Sequence, residues 1–230
     1  MAMLSSPRRP EIDHRTMKLI VGVIALSLAS VTSFFAHTFA HLKIASISAS
    51  YYADSLLGHV FIGLPRDVFV GCLFAISAFM LAYNGYSTAQ MVLSKVAAIA
   101  GLCIALFPCN CDNHPQLIPH VHGISAAVMF GILAFFCYIF FRRSLDKRET
   151  HAKRRAVIYA LCCLAILLSI FVLALDNFLH GMISSKLVRL TFYGERTCLV
   201  AFGVSWLTAS HWIPVLASKT ERDAAHSSQS

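Results

Sequence analysis

Leu19–Leu42 reads LIVGVIALSLASVTSFFAHTFAHL, a run with no Asp, Glu, Lys or Arg, bounded by Lys18 and Lys43. An α-helix that crosses a bilayer needs about 20 mostly apolar residues, and this run satisfies that length. A secretory leader has an apolar stretch of only about 7–15 residues ending at small residues. The run here is longer and ends in Phe, His and Thr, so it reads as a retained membrane anchor.

Five more apolar runs follow, the second of them carrying Lys95 near one end, where it can snorkel to the headgroups. They are VFVGCLFAISAFMLAY from Val68, MVLSKVAAIAGLCIALFP from Met91, VHGISAAVMFGILAFFCYIFF from Val121, AVIYALCCLAILLSIFVLAL from Ala156 and TCLVAFGVSWLTASHWIPVL from Thr197. Charged residues make up 13% of the chain and mean hydropathy is +0.68. Soluble domains average about 25% charged residues, so the composition points to an integral membrane protein. The expected fold is all-α, a polytopic six-helix bundle occupying 17–216. Its helices are placed near 19–41, 67–85, 91–108, 121–141, 156–175 and 194–216. Polar tails at 1–16 and 217–230 are expected to be disordered. No internal repeat or separate soluble domain is visible.

Orientation follows from Lys and Arg. With the N-terminus inside and six crossings, fourteen of the nineteen cations lie on the inner side. Only Lys43, Arg66, Lys186, Arg189 and Arg196 lie outside. The positive-inside bias therefore predicts N-in and C-in. The net charge of +8 is explained by this topology and does not imply nucleic acid.

The outer side gathers histidine. His37, His41, His59, His114, His120, His122 and His180 fall on or near it, with Asp54, Asp67, Asp112, Asp176 and Glu195. His37 and His41 share a face if the helix spans both, and Asp176 and His180 do so if the fifth helix continues. His120 and His122 open the fourth helix. Imidazole with carboxylate suits a divalent zinc, iron or manganese ion, held by His122, Asp67 and Glu195 with His37 and His41 as additions. The opposing reading is that these residues cap helix ends and anchor the interface. Arg66 and Glu195 are placed to pair across the outer face.

Six of the eight cysteines lie inside apolar runs, where they act as small hydrophobes. Cys109 and Cys111 lie in a polar loop. Residues two apart rarely form a mutual disulfide, so the reading is metal ligation with Asp112 and His114, or pairing with another chain. Gly71, Ala75, Ala78, Ala97, Ala98, Gly101, Ala126, Ala127 and Gly131 are read as helix-packing positions.

The pieces ISASYY from Ile47, RDVFVG from Arg66 with YNG from Tyr83, SKVAAIAGLCIALFPC from Ser94, HGISAA from His122 and GERTCLVAFGVSWL from Gly194 occur in an order that resembles the bacterial six-helix membrane proteins grouped as domain-of-unknown-function family nine-nine-eight. The resemblance covers roughly Ile44 to Leu207. In layout the chain is more distantly similar to the autophagy-modulator and GPI-lipid-remodelling membrane families. The resemblance implies a bacterial inner-membrane location and a polar set of Ser46, Ser48, Arg66, Asp67, His122 and Glu195. It implies no reaction. Tyr52 joins that set as a residue able to position a headgroup.

Three functions are consistent with these residues. The first is a membrane protein that binds a lipid or a membrane-protein partner through its outward face. The alternative is a metal-dependent hydrolase or lipid-modifying enzyme at the outer leaflet. The third is a small transporter, which would require a broken helix or a charge near the bilayer midplane, and neither is visible. A haem protein would need histidines on facing helices at matched depth, and only one end of the bundle supplies them.

Overall fold

The computed structural model describes residues 14–39, 41, 43–53, 63–111, 114, 118–147, 149–213 and 216. Asp54, His59, Asp112 and most of both polar tails lie outside these. Among the described residues there are six α-helices and no strand: α1 (His14–Phe39), α2 (Leu64–Ala82), α3 (Thr88–Leu106), α4 (Val121–Leu145), α5 (Thr150–Phe178) and α6 (Leu190–Ala209). A short 3₁₀ turn, Ser48–Tyr52, lies between α1 and α2. Each helix packs on its neighbours in sequence, and α1 also packs on α6, so the six close into a ring. Helix α4 also touches α6 across it.

Five helices, α1 to α5, are long and apolar enough to cross a membrane. The sixth expected span differs. Helix α6 carries Thr191, Tyr193, Glu195, Arg196 and Thr197 in its first half, and it is not among the five. Half of its residues are buried in protein, so its surroundings are side chains of the bundle and it needs less apolar surface than a lipid-facing helix. Helix α5 is the reverse. Val157, Leu161, Leu164, Leu167, Leu168 and Phe171 are all exposed large apolar side chains on it, a surface suited to hydrocarbon.

Helix limits shift where charged residues join the helix. Helix α4 runs on through Arg142 and Arg143 to Leu145, where cations favour the negative end of the helix dipole. Helix α5 begins at Thr150, and Arg155 lies inside it, buried. Helix α1 begins before Lys18, which is likewise buried. Helix α2 starts at Leu64, with Gly63 at φ +83 as its N-cap and a proline in its first turn. Helix α6 stops at Ala209 rather than near 216. His211 has φ +59, and Pro214 disfavours helix in the residue before it.

Glycines mark where the ring is tightest. A Cβ on Gly22 would lie 2.8 Å from Leu207 Cγ and 3.0 Å from the Gly203 carbonyl. A Cβ on Gly203 would lie 2.7 Å from Leu26 Cγ and 2.8 Å from the Gly22 carbonyl. This reciprocal pair sets the α1–α6 contact. Of the small residues singled out in the sequence, Gly101 does meet a neighbour, Ser77, whereas Gly71 and Gly131 face open space. The packing expectation is corrected at those two positions, because a small residue lets helices approach only if it faces one. One turn beyond Gly203 on α6, Trp206 is fully buried. Tyr83, Phe202 and Phe136 surround it at centroid distances of 5.3, 5.2 and 6.2 Å.

Candidate functional site

Residues 44–48 lie across the N-terminal end of α6 and are bonded to it repeatedly, while the 3₁₀ turn that follows packs on α2. Phe192 N donates to Ala45 O at 3.1 Å. Arg189 Nε donates to Ile44 O at 3.1 Å, and its guanidinium stacks on Phe192 with 4.1 Å to the ring centroid. Ile47 N and Ser48 N both donate to Glu195 Oε2, the second at 3.2 Å. The first turn of a helix has unsatisfied amides and favours negative charge. Glu195 lies beyond the first turn of α6, which holds no acidic residue, and its carboxylate binds the amides of a neighbouring loop.

Ser48 is held between two ionisable side chains. Its hydroxyl donates to Glu195 Oε1 at 2.8 Å and lies 3.0 Å from His122 Nε2. The other ring nitrogen of His122, Nδ1, is 2.8 Å from the Phe107 carbonyl. Phe107 caps the end of α3, where helical carbonyls lack internal partners, so this imidazole satisfies an orphan acceptor. Three elements therefore meet at one hydroxyl: the loop after α1, the start of α4 and the start of α6.

Counting protons defines the state of this trio. A carbonyl can only accept, so Nδ1 of His122 carries a proton. A hydroxyl has one proton and donates once. With that proton given to Glu195, the Nε2–Oγ contact is a hydrogen bond when Nε2 is also protonated. The same number of protons fits a second arrangement, in which Glu195 donates to Ser48 and Ser48 donates to a neutral His122. Both arrangements satisfy every contact, and Ser48 is the link through which the proton moves between them.

The remaining candidates are placed as follows. Ser46 lies beside the trio but faces away from it. Its Oγ accepts from Ala49 N at 2.9 Å and approaches Cys111 Sγ at 3.6 Å. Tyr52 donates to the Cys109 carbonyl at 3.0 Å and stacks on His114 with centroids 4.0 Å apart. Burial and the nearby Tyr51 push its phenol above its ordinary value, which keeps the donor protonated. Arg66 and Asp67 do not join the trio. They contact each other at 3.5 Å, with the Asp67 side chain 64% exposed. The expected Arg66–Glu195 pair is thus replaced on both sides, because the loop amides reach the carboxylate first.

His37 and His41 do not share a helical face. Helix α1 ends at Phe39, His41 has φ +54, and both residues are exposed. Asp176 does not pair with His180 along a helix either. Helix α5 ends at Phe178 and His180 has φ +51, while Asp176 Oδ1 accepts from Ile183 N and Ser184 N, each at 2.9 Å. His120, at φ +66, is exposed as the N-cap of α4 while His122 turns inward. Among the described residues no three His, Cys, Asp or Glu side chains gather as a metal site. Of His122, Asp67 and Glu195, the structure brings His122 and Glu195 together, bridged by Ser48, and leaves Asp67 in contact with Arg66.

Cys109 and Cys111 form a disulfide, with Cα atoms 5.3 Å apart. This corrects the expectation against a mutual bond. Both residues lie beyond the end of α3 in a non-helical segment, where the backbone can turn the two sulfurs toward each other. The bridge carries the Cys109 carbonyl that Tyr52 binds and the Cys111 carbonyl that accepts from His114 N at 3.0 Å. The disulfide loop, Tyr52 and His114 thus form one wall beside the trio. Sequence reasoning named Ser48, His122 and Glu195 but missed the Phe107 carbonyl and the Ile47 amide, since backbone groups have no sequence signal. Comparison of the chain with protein-family models, with curated proteins and with solved structures finds no match.

Proposed function

We propose that this chain is a multi-pass membrane protein with six crossings, N-in and C-in, whose Ser48–His122–Glu195 centre acts on a lipid ester or amide at the outer membrane boundary. The observation that carries the reading is the serine hydroxyl 3.0 Å from a histidine Nε2 whose Nδ1 is fixed by a carbonyl. A nucleophile, a base within hydrogen-bond reach and a group orienting the base are the parts of covalent acyl transfer. With the proton on Glu195, His122 is a base aimed at Ser48, and Glu195 is an acid at the same oxygen. Ser48 Oγ then attacks the acyl carbon and its proton passes to His122. The departing alcohol or amine takes that proton, and water or a second lipid alcohol releases the acyl group. Orientation rests on the cation bias, fourteen of nineteen on the inner side. Placement in a bacterial inner membrane rests on the resemblance to domain-of-unknown-function family nine-nine-eight.

A second reading is favoured by burial. Ser48 and His122 are each 6% exposed, and Glu195 already accepts three hydrogen bonds. In that reading the trio is a clasp that holds the outer loop against α4 and α6, and the outward face binds a lipid or a membrane-protein partner without turnover. A fluorophosphonate probe separates the two. The enzyme reading expects a covalent adduct on Ser48, found by peptide mass spectrometry, absent in Ser48→Ala and strongly reduced in His122→Gln. An unlabelled Ser48 in well-folded protein, with no turnover of a phospholipid mixture, leaves the clasp.

A further inference from the structure

Cys109 and Cys111 are bonded to each other across a single residue, Asn110. A cross-link stabilises a fold by restricting the unfolded chain, and the gain grows with the size of the loop it closes. A loop this short is at the bottom of that scale, so the bridge adds little as a staple. The other six cysteines are free thiols within the helices.

The bridged segment is held in place without its sulfurs. Phe107 N donates to Cys103 O at 2.9 Å, and the Phe107 carbonyl is bonded to His122. The Tyr52 hydroxyl donates to the Cys109 carbonyl, and His114 N donates to the Cys111 carbonyl. These bonds use the backbone of the segment, and a dithiol keeps them as well as a disulfide does. The bridge can open and close while its backbone stays in position.

The two sulfurs are not equivalent. Cys109 is buried, and Cys111 is partly exposed. The Ser46 hydroxyl lies 3.6 Å from Cys111 Sγ. A bridged sulfur carries no proton, so Ser46 is the donor of that contact, while its oxygen accepts from Ala49 N. A hydrogen bond to an ionised acceptor is stronger than one to a neutral acceptor. The contact therefore strengthens as Cys111 becomes a thiolate, the species that attacks and leaves in exchange.

We infer that the Cys109–Cys111 bridge is a thiol–disulfide exchange site, with Cys111 as the sulfur that a substrate thiol meets. A substrate thiolate attacks Cys111 Sγ, the bond between the two cysteines breaks, and its electron pair goes to Cys109, which takes a proton. A second substrate thiolate attacks the substrate sulfur of the mixed disulfide, and Cys111 leaves as a thiolate bonded to Ser46. Two substrate thiols become a disulfide, and their two electrons leave the protein as a dithiol. A second disulfide compound restores the bridge by the reverse steps. The substrate is a thiol, from a small molecule or from a cysteine pair in a polypeptide. The chemistry uses neither Ser48 nor a particular membrane orientation, so its failure and theirs are separate results.

The test equilibrates the detergent-purified full chain with graded ratios of reduced to oxidised glutathione, followed by acid quenching and alkylation. Peptide mass spectrometry reads the state of Cys109 and Cys111, and thermal melts are taken of the oxidised and reduced protein. The bridge is expected to open in the folded chain and to lower the melting temperature by about 6 °C or less. Cys109→Ser is expected to trap glutathione on Cys111, about 10-fold more than Cys111→Ser traps on Cys109, and Ser46→Ala to slow exchange by about 10-fold. A synthetic peptide with two cysteines is run beside glutathione. Faster exchange with the peptide assigns a polypeptide substrate, and equal or slower exchange assigns a small thiol. A bridge that resists reduction until the chain unfolds, or a melting temperature lowered by more than about 15 °C on reduction, makes it a staple and overturns the proposal. Equal trapping at the two cysteines with Ser46→Ala unchanged overturns it as well.

Discussion

Replacing Glu195 in two ways tests the proton count at Ser48. Glu195→Ala removes the acceptor for Ile47 N, Ser48 N and Ser48 Oγ. A hydrogen bond to a charged group is worth about 1.5–3 kcal/mol. Glu195 is only partly buried, so water recovers a share, and the expected loss is about 3–5 kcal/mol. For a chain of this size that corresponds to a fall in melting temperature of about 6–20 °C. Glu195→Gln is different. Its carbonyl can accept from both amides, and its NH₂ can donate to Ser48, which then donates to a neutral His122. Every contact is kept with one proton fewer, so the expected cost is about 1 kcal/mol or less. The assay is thermal unfolding in detergent followed by tryptophan fluorescence, with the fully buried Trp206 on the same helix as reporter. If Gln is as damaging as Ala, the carboxylate charge rather than the hydrogen-bond pattern holds the loop, and the proton count is refuted. If Ala costs less than about 1 kcal/mol, the trio is not a clasp at all.

Gly203→Ala places a methyl against Leu26 and the Gly22 carbonyl, and overpacking of this kind costs about 1–3 kcal/mol. Gly71→Ala enters open space and is expected to be neutral or to stabilise by up to about 1 kcal/mol through helix propensity; thermal melts of the two variants check the contrast. Lys95→Met removes the ammonium that bonds the carbonyls of Leu81 and Tyr83 and the Asn84 side chain at the end of α2, with an expected loss of about 1 kcal/mol in the same assay. After mild reduction in intact cells, a membrane-impermeant maleimide is expected to label Cys109 and Cys111. Labelling only after the membrane is opened would reverse the proposed orientation.

Much of the site was legible before the structure, though not for one reason. His122 stood at the start of an apolar run, and Glu195 interrupted the approach to another. Ser48 was marked by the resemblance and by no property of its own. Asp67 and Arg66 looked equivalent to Glu195, since all three are charged residues at helix starts. What separates them is the path of the loop after α1: its Ile47 and Ser48 amides reach Glu195, while its 3₁₀ turn packs on α2 and leaves the Arg66 and Asp67 side chains exposed. The disulfide was hidden because a spacing of two residues says nothing about the turn between them.

The sequence by itself determined the helical, membrane-type architecture. Uncharged length is a property of a contiguous segment, and the need to satisfy backbone polar groups in hydrocarbon leaves a helix as the solution for such segments. Only the tertiary structure decided which side of each helix faces protein. Successive residues turn by about 100° around a helix axis, so neighbours such as His120 and His122, or Gly101 and Gly71 on adjacent helices, meet different surroundings. Packing thereby buried half of the least apolar helix, α6, and brought one serine between a histidine and a glutamate.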